Sequence, residues 1–505
     1  MIEAIPQAIK PHDKYQIEFK LDYELLPGQQ THYQVSTYIF VPQSLGITPS
    51  TYTKVEFYRD IQNYIRLKTP ALILREFTKE SASSPLLAIE AIVAAENWAG
   101  QSEYRERLIN NFKFLSATLK SAIREHFNLI QKRIAEAPPH SKVSLLIHNL
   151  VEEFLVETKN ITDKYRSFYA AFNLPNIDSQ LFTAYKLTDE SLSLLIEESA
   201  VEMFQIVEVY LKKGDKIDYK QKLSEQVECE TRHRRTRGYR SVLKEGDDNE
   251  EYTFRASVLK KYASSVLYLS TAVQREGVQL EHFLFSIAAG LSMIFATVVA
   301  FYFQNRYGQL TFPFFIALVI GYMFKDRIKE LGKQLFAHYL QNILYDRRTI
   351  IRTQDGQHKL GILREKVSFV AEKNLPAPIL AARNRDPFTE LDNDRQGEYI
   401  ICYAKDIVLF ADAFKEAYLD VPEITGINDI IRYDIRAYLR KMAEPVQPRN
   451  YLEAGQLKTV SCHKVYHLNF VSRYRSIKPH KDKLDRRLRL VLNRRGIKRV
   501  EHVPT

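Results

Sequence analysis

Cys462, His463 and His467 are residue types that hold transition metals, and they fall within six positions of one another. The surrounding run Val460 to Val471 (VSCHKVYHLNFV) is β-prone. Four residues along a strand cover about 13 Å, and Cys462 then faces away from His463. The two histidines would share a face only on a helix, where i,i+4 spacing suits zinc. Asp392, Asp394 and Gly397 begin like a calcium loop, but Gln396 stands at its fifth position and Tyr403 at its twelfth, where a bidentate Glu is needed. Neither cluster is therefore read as a metal site, and no cofactor is expected. No G-x-x-x-x-G-K-[ST], H-E-x-x-H or G-x-S-x-G occurs, nor any G-x-G-x-x-G after a strand. The commonest nucleotide-binding, zinc-protease and hydrolase chemistries thus lack their signatures.

Positive charge is the other chemical feature. The chain carries a formal +11 with a pI near 9.2, which suits an anionic partner. Arg232, Arg234, Arg235 and Arg237 crowd one segment (TRHRRTRGYR), and Arg486, Arg487, Arg489, Arg494 and Arg495 crowd the C-terminus. In the second cluster Leu488, Leu490 and Leu492 alternate with Arg487, Arg489 and Val491, as on a strand with one cationic side. Both clusters are read as solvated faces or as surfaces that bind loosely to anionic lipid headgroups. A nucleic acid or another phosphate ligand on the C-terminal face is the second choice.

The elements that carry these residues divide at a long apolar run. Phe283 to Phe303 gives 21 residues without a charge, and about 20 helical residues cross a bilayer core. A second run, Leu310 to Phe324, is shorter and has Pro313 in its first turn. Asn305 to Gln309 separates the two and suits a tight turn. The segment 283–324 is therefore read as a transmembrane helical hairpin. Lys260, Lys261 and Arg275 precede it and Lys325, Arg327, Lys329 and Lys333 follow it, against Arg306 alone in the turn. That asymmetry places both termini in the cytoplasm of a two-span protein, with the plasma (inner) membrane the expected location. Ala288, Ser292, Ala296 and Ala300 recur every fourth residue, a small-residue stripe that packs on the second span or on another copy of the chain. Neither run contains Asp, Glu, Lys, Arg or His, which disfavours transport.

Residues 1–70 read as a small antiparallel sheet. Tyr15, Ile17, Phe19, Leu21, Tyr23 and Leu25 alternate with polar residues, and LPGQQT turns the chain into the β-prone HYQVSTYIFV. Tyr52 to Lys68 continues it, with helix as the alternative. Residues 71–213 read as an α-helical bundle. Leu108, Phe112, Leu115, Leu119, Ile123, Phe127, Ile130 and Ile134 keep helical spacing, and Thr188 is placed as the N-cap of a later helix. A charged linker follows at 214–257, then amphipathic stalk helices at 258–282 and 325–346 on either side of the hairpin. Residues 347–505 form an α+β domain. Asp355-Gly356 marks a β-turn, Glu398 to Phe410 is a strand or buried helix, and Asn428 to Met442 is an amphipathic helix. Three scattered cysteines give no disulfide framework. The fold class is α+β and membrane-anchored, and the leading function is a cytoplasmic interaction or signalling scaffold with an unknown protein partner. A membrane-tethered enzyme or nucleic-acid-binding protein is the alternative.

Overall fold

A computed structural model describes residues 9–26, 28, 30–79, 84–95, 98, 101–136, 143–211, 219–308, 311–383, 397–418, 423–478, 481–484 and 487–503. Strands β1 (Ile9–Pro11), β2 (Gln16–Glu24) and β3 (Gln30–Pro42) lead into α1 (Lys54–Asp60) and β4 (Ile61–Leu67). Helices α2 (Pro85–Ala94), α3 (Ser102–Glu136), α4 (Val143–Ser167), α5 (Tyr169–Phe172), α6 (Ser179–Leu211), α7 (Lys220–Thr236) and α8 (Glu250–Ser265) follow. After β5 (Ser270–Arg275) come α9 (Val278–Tyr307), α10 (Phe312–Ile343), β6 (Arg347–Arg352), β7 (Lys359–Phe369) and α11 (Ala377–Arg383). The rest is mostly strand: β8 (Glu398–Phe410), β9 (Gly426–Asp434), β10 (Val446–Glu453), β11 (Gln456–His463), β12 (Tyr466–Lys478), β13 (Lys481–Leu484), β14 (Arg487–Asn493) and β15 (Gly496–Val503).

The molecule is mixed α+β with three antiparallel sheets. One runs β1-β2-β9-β4. The largest runs β15-β14-β12-β3-β8-β7-β6-β5, with β13 on β12, and β10-β11 stands alone as a hairpin. The two larger sheets share one apolar core, because inward residues alternate along each strand: Ile17, Leu21 and Tyr23 on β2, Tyr33, Val35 and Ile39 on β3, and Leu488, Leu490 and Leu492 on β14. A second core fills the helical bundle with Leu108, Phe112, Leu115, Leu119, Ile123 and Phe127 from α3, which packs on α2, α4, α6 and α8.

Several sequence expectations meet a different outcome. Strands β2 and β3 do not pair with each other. β2 lies beside β9 across Gln16–Glu24, and β3 lies between β8 and β12. Alternation reveals a strand but carries no information about its partner, here hundreds of residues away. The expected stalk helix through 258–282 ends at Ser265. The chain then dips into the core, where the Leu269 N–H donates to Ile65 O and the Leu67 N–H donates to Leu267 O, and it leaves as β5 on β6. Strand pairing outweighs helical spacing here. Thr188 sits inside α6, in its third turn and buried, rather than at its start. Asn428 to Met442 is not one helix. Its first half is β9, with Ile427, Asp429, Ile431 and Tyr433 turned inward, and only Arg436–Leu439 is helical. Tyr52 to Lys68 divides into α1 and β4, and Asp355-Gly356 turns β6 into β7 with Gly356 at φ 77°.

Candidate membrane-facing site

Helices α9 and α10 leave the large sheet from β5 and return to it at β6. Gly308, at φ 79°, ends α9 with its N–H donated to Gln304 O, and Pro313 stands in the first turn of α10, where its missing N–H costs nothing. Gln309 and Leu310, in the expected turn, lie outside the described residues. α9 is the one helix among the described residues that is long and apolar enough to cross a membrane. Its apolar stretch is almost wholly unburied. Phe283, Leu291, Met293, Ile294, Val298, Phe301 and Tyr302 are all more than half exposed, a concentration that water-facing surfaces rarely carry.

The small-residue stripe bears on how the two helices meet. Ala288 and Ser292 are buried, and Ala296 and Ala300 are half-buried. A Cβ on Gly332 would lie 3.0 Å from Cβ of Ala288, and one on Gly321 would lie 3.3 Å from Cγ1 of Val299. These two contacts are eleven residues apart on each helix, so they fix a single antiparallel register. Lys325 is thereby level with Phe295, Lys329 with Leu291 and Lys333 with Ile287. Consistently, Lys333 Nζ lies 5.9 Å from the centre of the Phe285 ring. The uncharged stretches of the two helices are thus offset. α10 is apolar from Phe312 to Phe324 and bears Lys325, Asp326, Arg327, Lys329, Glu330 and Lys333 beside the first half of the apolar run of α9.

At the foot of the hairpin, Asp346 ties the exit of α10 to the sheets. It accepts from Lys54 Nζ at 2.6 Å, Tyr58 OH at 3.1 Å and the Val367 N–H at 2.8 Å. Beside it is a groove of about 310 Å³ lined by Tyr52, Lys54, Phe57, Lys366 and Phe369. Burial lowers the Lys366 ammonium, and the neighbouring charge of Lys54 adds to that effect.

The basic clusters are placed less freely than their charge implies. Arg234 is fully buried, paired with Glu197 and donating to Ser193 Oγ and Ser241 O. Burial pushes its guanidinium down to about 10. Around it, Arg166 clamps Glu230 at 2.6 Å and Asp189 at 3.1 Å, His233 Nε2 lies 2.8 Å from Asp189, and Arg255 pairs with Glu190. This network joins α4, α6, α7 and α8. Arg237 lies over the Tyr169 ring at 4.0 Å, while Arg232 and Arg235 are exposed. At the C-terminus Arg487 is buried and donates to Asn469 Oδ1 at 2.9 Å, Arg489 donates to Glu501 at 3.4 Å, Arg494 pairs with Glu444, and Arg495 is exposed. Arg486, Asp392 and Asp394 lie outside the described residues. The pattern of charges is visible in the sequence, but the carboxylates that take them up come from distant segments.

Cys462 and His463 are on β11 and His467 is on β12. Among the described residues no three ligands gather for a metal. Sequence reading missed a charged group between the two large sheets. Lys405 Nζ meets Asp429 Oδ2 at 2.6 Å with both side chains at most 2% exposed, and Glu365 accepts from Asn63 at 2.6 Å and from Tyr403. Burial raises the Asp429 carboxyl although Lys405 opposes it. Close by, a cavity of about 30 Å³ lined by Leu21, Ile61, Tyr403 and Tyr474 has room for a single water. Both sheets enclose the group, so it meets other core residues and not an incoming ligand.

A last exposed feature is the β10–β11 arm, every residue of which is exposed but Val446. The Lys464 N–H closes its base on Pro445 O at 3.0 Å, and Tyr451, Leu452, Leu457 and Val460 project from it. An isolated two-stranded hairpin is marginal in water. The chain matches no family model, no curated protein and no solved structure.

Proposed function

We propose that this protein is a membrane-anchored, non-enzymatic interaction protein: the α9–α10 hairpin enters a bilayer, and the sheets and helical bundle stay together on one side of it. The exposed apolar surface of α9 carries this reading, since burying a side chain such as Phe301 in an apolar phase gains about 1.5–3 kcal/mol. The excess of Lys and Arg at the open end of the hairpin over Arg306 at its tip supports a cytoplasmic placement of both termini. The β10–β11 arm supports the interaction part of the reading, because its exposed edges, with Tyr451, Leu452, Leu457 and Val460, offer a docking edge for a protein partner.

Flotation of membranes after an alkaline carbonate wash tests the anchor. The wild-type chain stays with the lipid, and Val298→Asp with Phe301→Asp releases it into the wash. A wild-type protein that washes off as readily as the double variant would sink the reading.

A further inference from the structure

Resting on that anchor, we infer that α10 and not α9 sets the depth of insertion, so that the hairpin fits a hydrocarbon layer of about 20 Å, well short of the roughly 30 Å of an ordinary bilayer. The register decides it. With Ala288 against Gly332 and Val299 against Gly321, the level at which α10 is free of charge runs from Phe312 to Phe324, opposite about Ala296 to Tyr307 on α9, where Arg306 next to the tip is the one charge. If the whole run Phe283 to Phe303 were immersed, Lys325, Asp326, Arg327, Lys329, Glu330 and Lys333 would be drawn into the hydrocarbon beside it. Each charge at the bilayer centre costs more than one immersed apolar side chain gains. Six such charges stand against eight apolar residues, Phe283, Ile287, Leu291, Met293, Ile294 and Phe295 on α9 and Leu331 and Leu335 on α10, none more than 68% exposed and so each with only part of its surface left to bury, and the charged level stays in the headgroups.

The two ends of the short band are built as interfaces. At the near end Lys325 Nζ lies 3.8 Å from the centre of the Tyr322 ring, and Arg327 and Lys329 follow on the same helix. At the far end Arg306 donates to Tyr302 OH at 3.0 Å and lies near the Tyr307 ring. Tyrosine with a cation is the pairing that membrane–water boundaries favour. Gln304, Asn305 and Arg306 at the tip also make a stop at the bilayer midplane costly, so the hairpin crosses a thin layer or thins the lipid around it. The partner that this surface fits is a short-chain bilayer with anionic headgroups at the Lys325 level.

Reconstitution of the full-length protein into vesicles of dimyristoleoyl-, dioleoyl- or dierucoyl-phosphatidylcholine, each with the same fraction of matching phosphatidylserine, measures this. The fraction that floats after a carbonate wash should be greatest in the shortest chains and fall by roughly tenfold toward the longest, from a mismatch of about 10 Å. Replacing Lys325, Asp326 and Arg327 together with Leu lengthens the band and should move the optimum to the dioleoyl vesicles. An optimum for the wild type in dioleoyl vesicles, or no dependence on chain length, overturns the depth assignment and leaves the anchor standing. Failure to float with any lipid removes the anchor itself.

Discussion

Arg166 shows what a single buried cation does in this chain. It touches Asp189 and Glu230, whose side chains are 4% and 6% exposed, so its removal takes the ion pair from Glu230 and leaves Asp189 with only His233 and Tyr239. Arg166→Ala should cost about 3–5 kcal/mol. The only tryptophan, Trp98, packs in the bundle with its ring 5.3 Å from that of Phe172, so Trp98 fluorescence during denaturant unfolding reports this loss directly. The same site sets a pH dependence. Burial alone would raise the Asp189 carboxyl, but the His233 hydrogen bond and the charge of Arg166 more than reverse it and hold it below the ordinary carboxylate range. A carboxyl depressed in the folded state stabilises above its unfolded pKa, and that contribution is lost as pH falls through the lower folded value. The Trp98 midpoint should thus drop on acidification below about pH 4, and less steeply in Asp189→Asn. An unchanged acid slope in that variant would remove Asp189 from the account. The sequence shows Arg232, Arg234, Arg235 and Arg237 as one cationic run, yet Arg234 is interior and Arg235 exposed. Helical phase separates them, and the buried phase is fixed by Glu197 and Ser241, which the run does not contain.

Among elements, the hairpin makes the sharpest claim. If Ala288 faces Gly332, cysteines at the two positions fall within disulfide reach. Ala288→Cys with Gly332→Cys should cross-link within one chain under mild oxidation, and Ala300→Cys with Gly332→Cys, a dozen residues out of register, should not. Mobility of the unreduced protein on a denaturing gel distinguishes the two, with Cys229 and Cys462, both exposed, replaced by Ser. The β10–β11 arm offers a separate test. Because Pro445 and Lys464 already meet at its base, replacing 447–462 with a short Gly-Ser link should leave the Trp98 unfolding midpoint within about 0.5 kcal/mol of wild type while abolishing co-purification of any bound protein. Long, strongly periodic elements such as α3 and the apolar run of α9 were legible because one residue spacing dominates each. Segments such as Asn428 to Met442 satisfy two periods at once, and only the presence of β2 and β4 on either side of β9 resolves them as strand.

At the scale of the whole molecule, the sheets join the two ends of the chain. β3 is hydrogen-bonded to β8 on one side and to β12 on the other, and β2 is bonded to β9. Residues 347–505 expressed alone therefore lack the strand that stands between β8 and β12. The fragment should be unfolded or aggregated, and co-expression with residues 1–70 should restore amide-exchange protection along β8 and β12. Protection in the isolated fragment would mean that β8 and β12 hold without β3. Sequence reading placed strands at both ends of the chain but treated them as separate units, since alternation says which face of a strand is buried and not which strand lies alongside.

That shared sheet imposes an order on synthesis. Strand β3 emerges from the ribosome early, but its neighbour β12 begins more than four hundred residues later, which at about 5–20 residues per second means a wait on the order of 20–80 s. The hairpin emerges within that interval. The nascent chain thus presents its most apolar segment while β3 still has open hydrogen-bonding edges on both sides. On the proposed anchor, delivery to the lipid begins before the sheet can close, and a delay in delivery leaves both the hairpin and the strand open to aggregation at the same time.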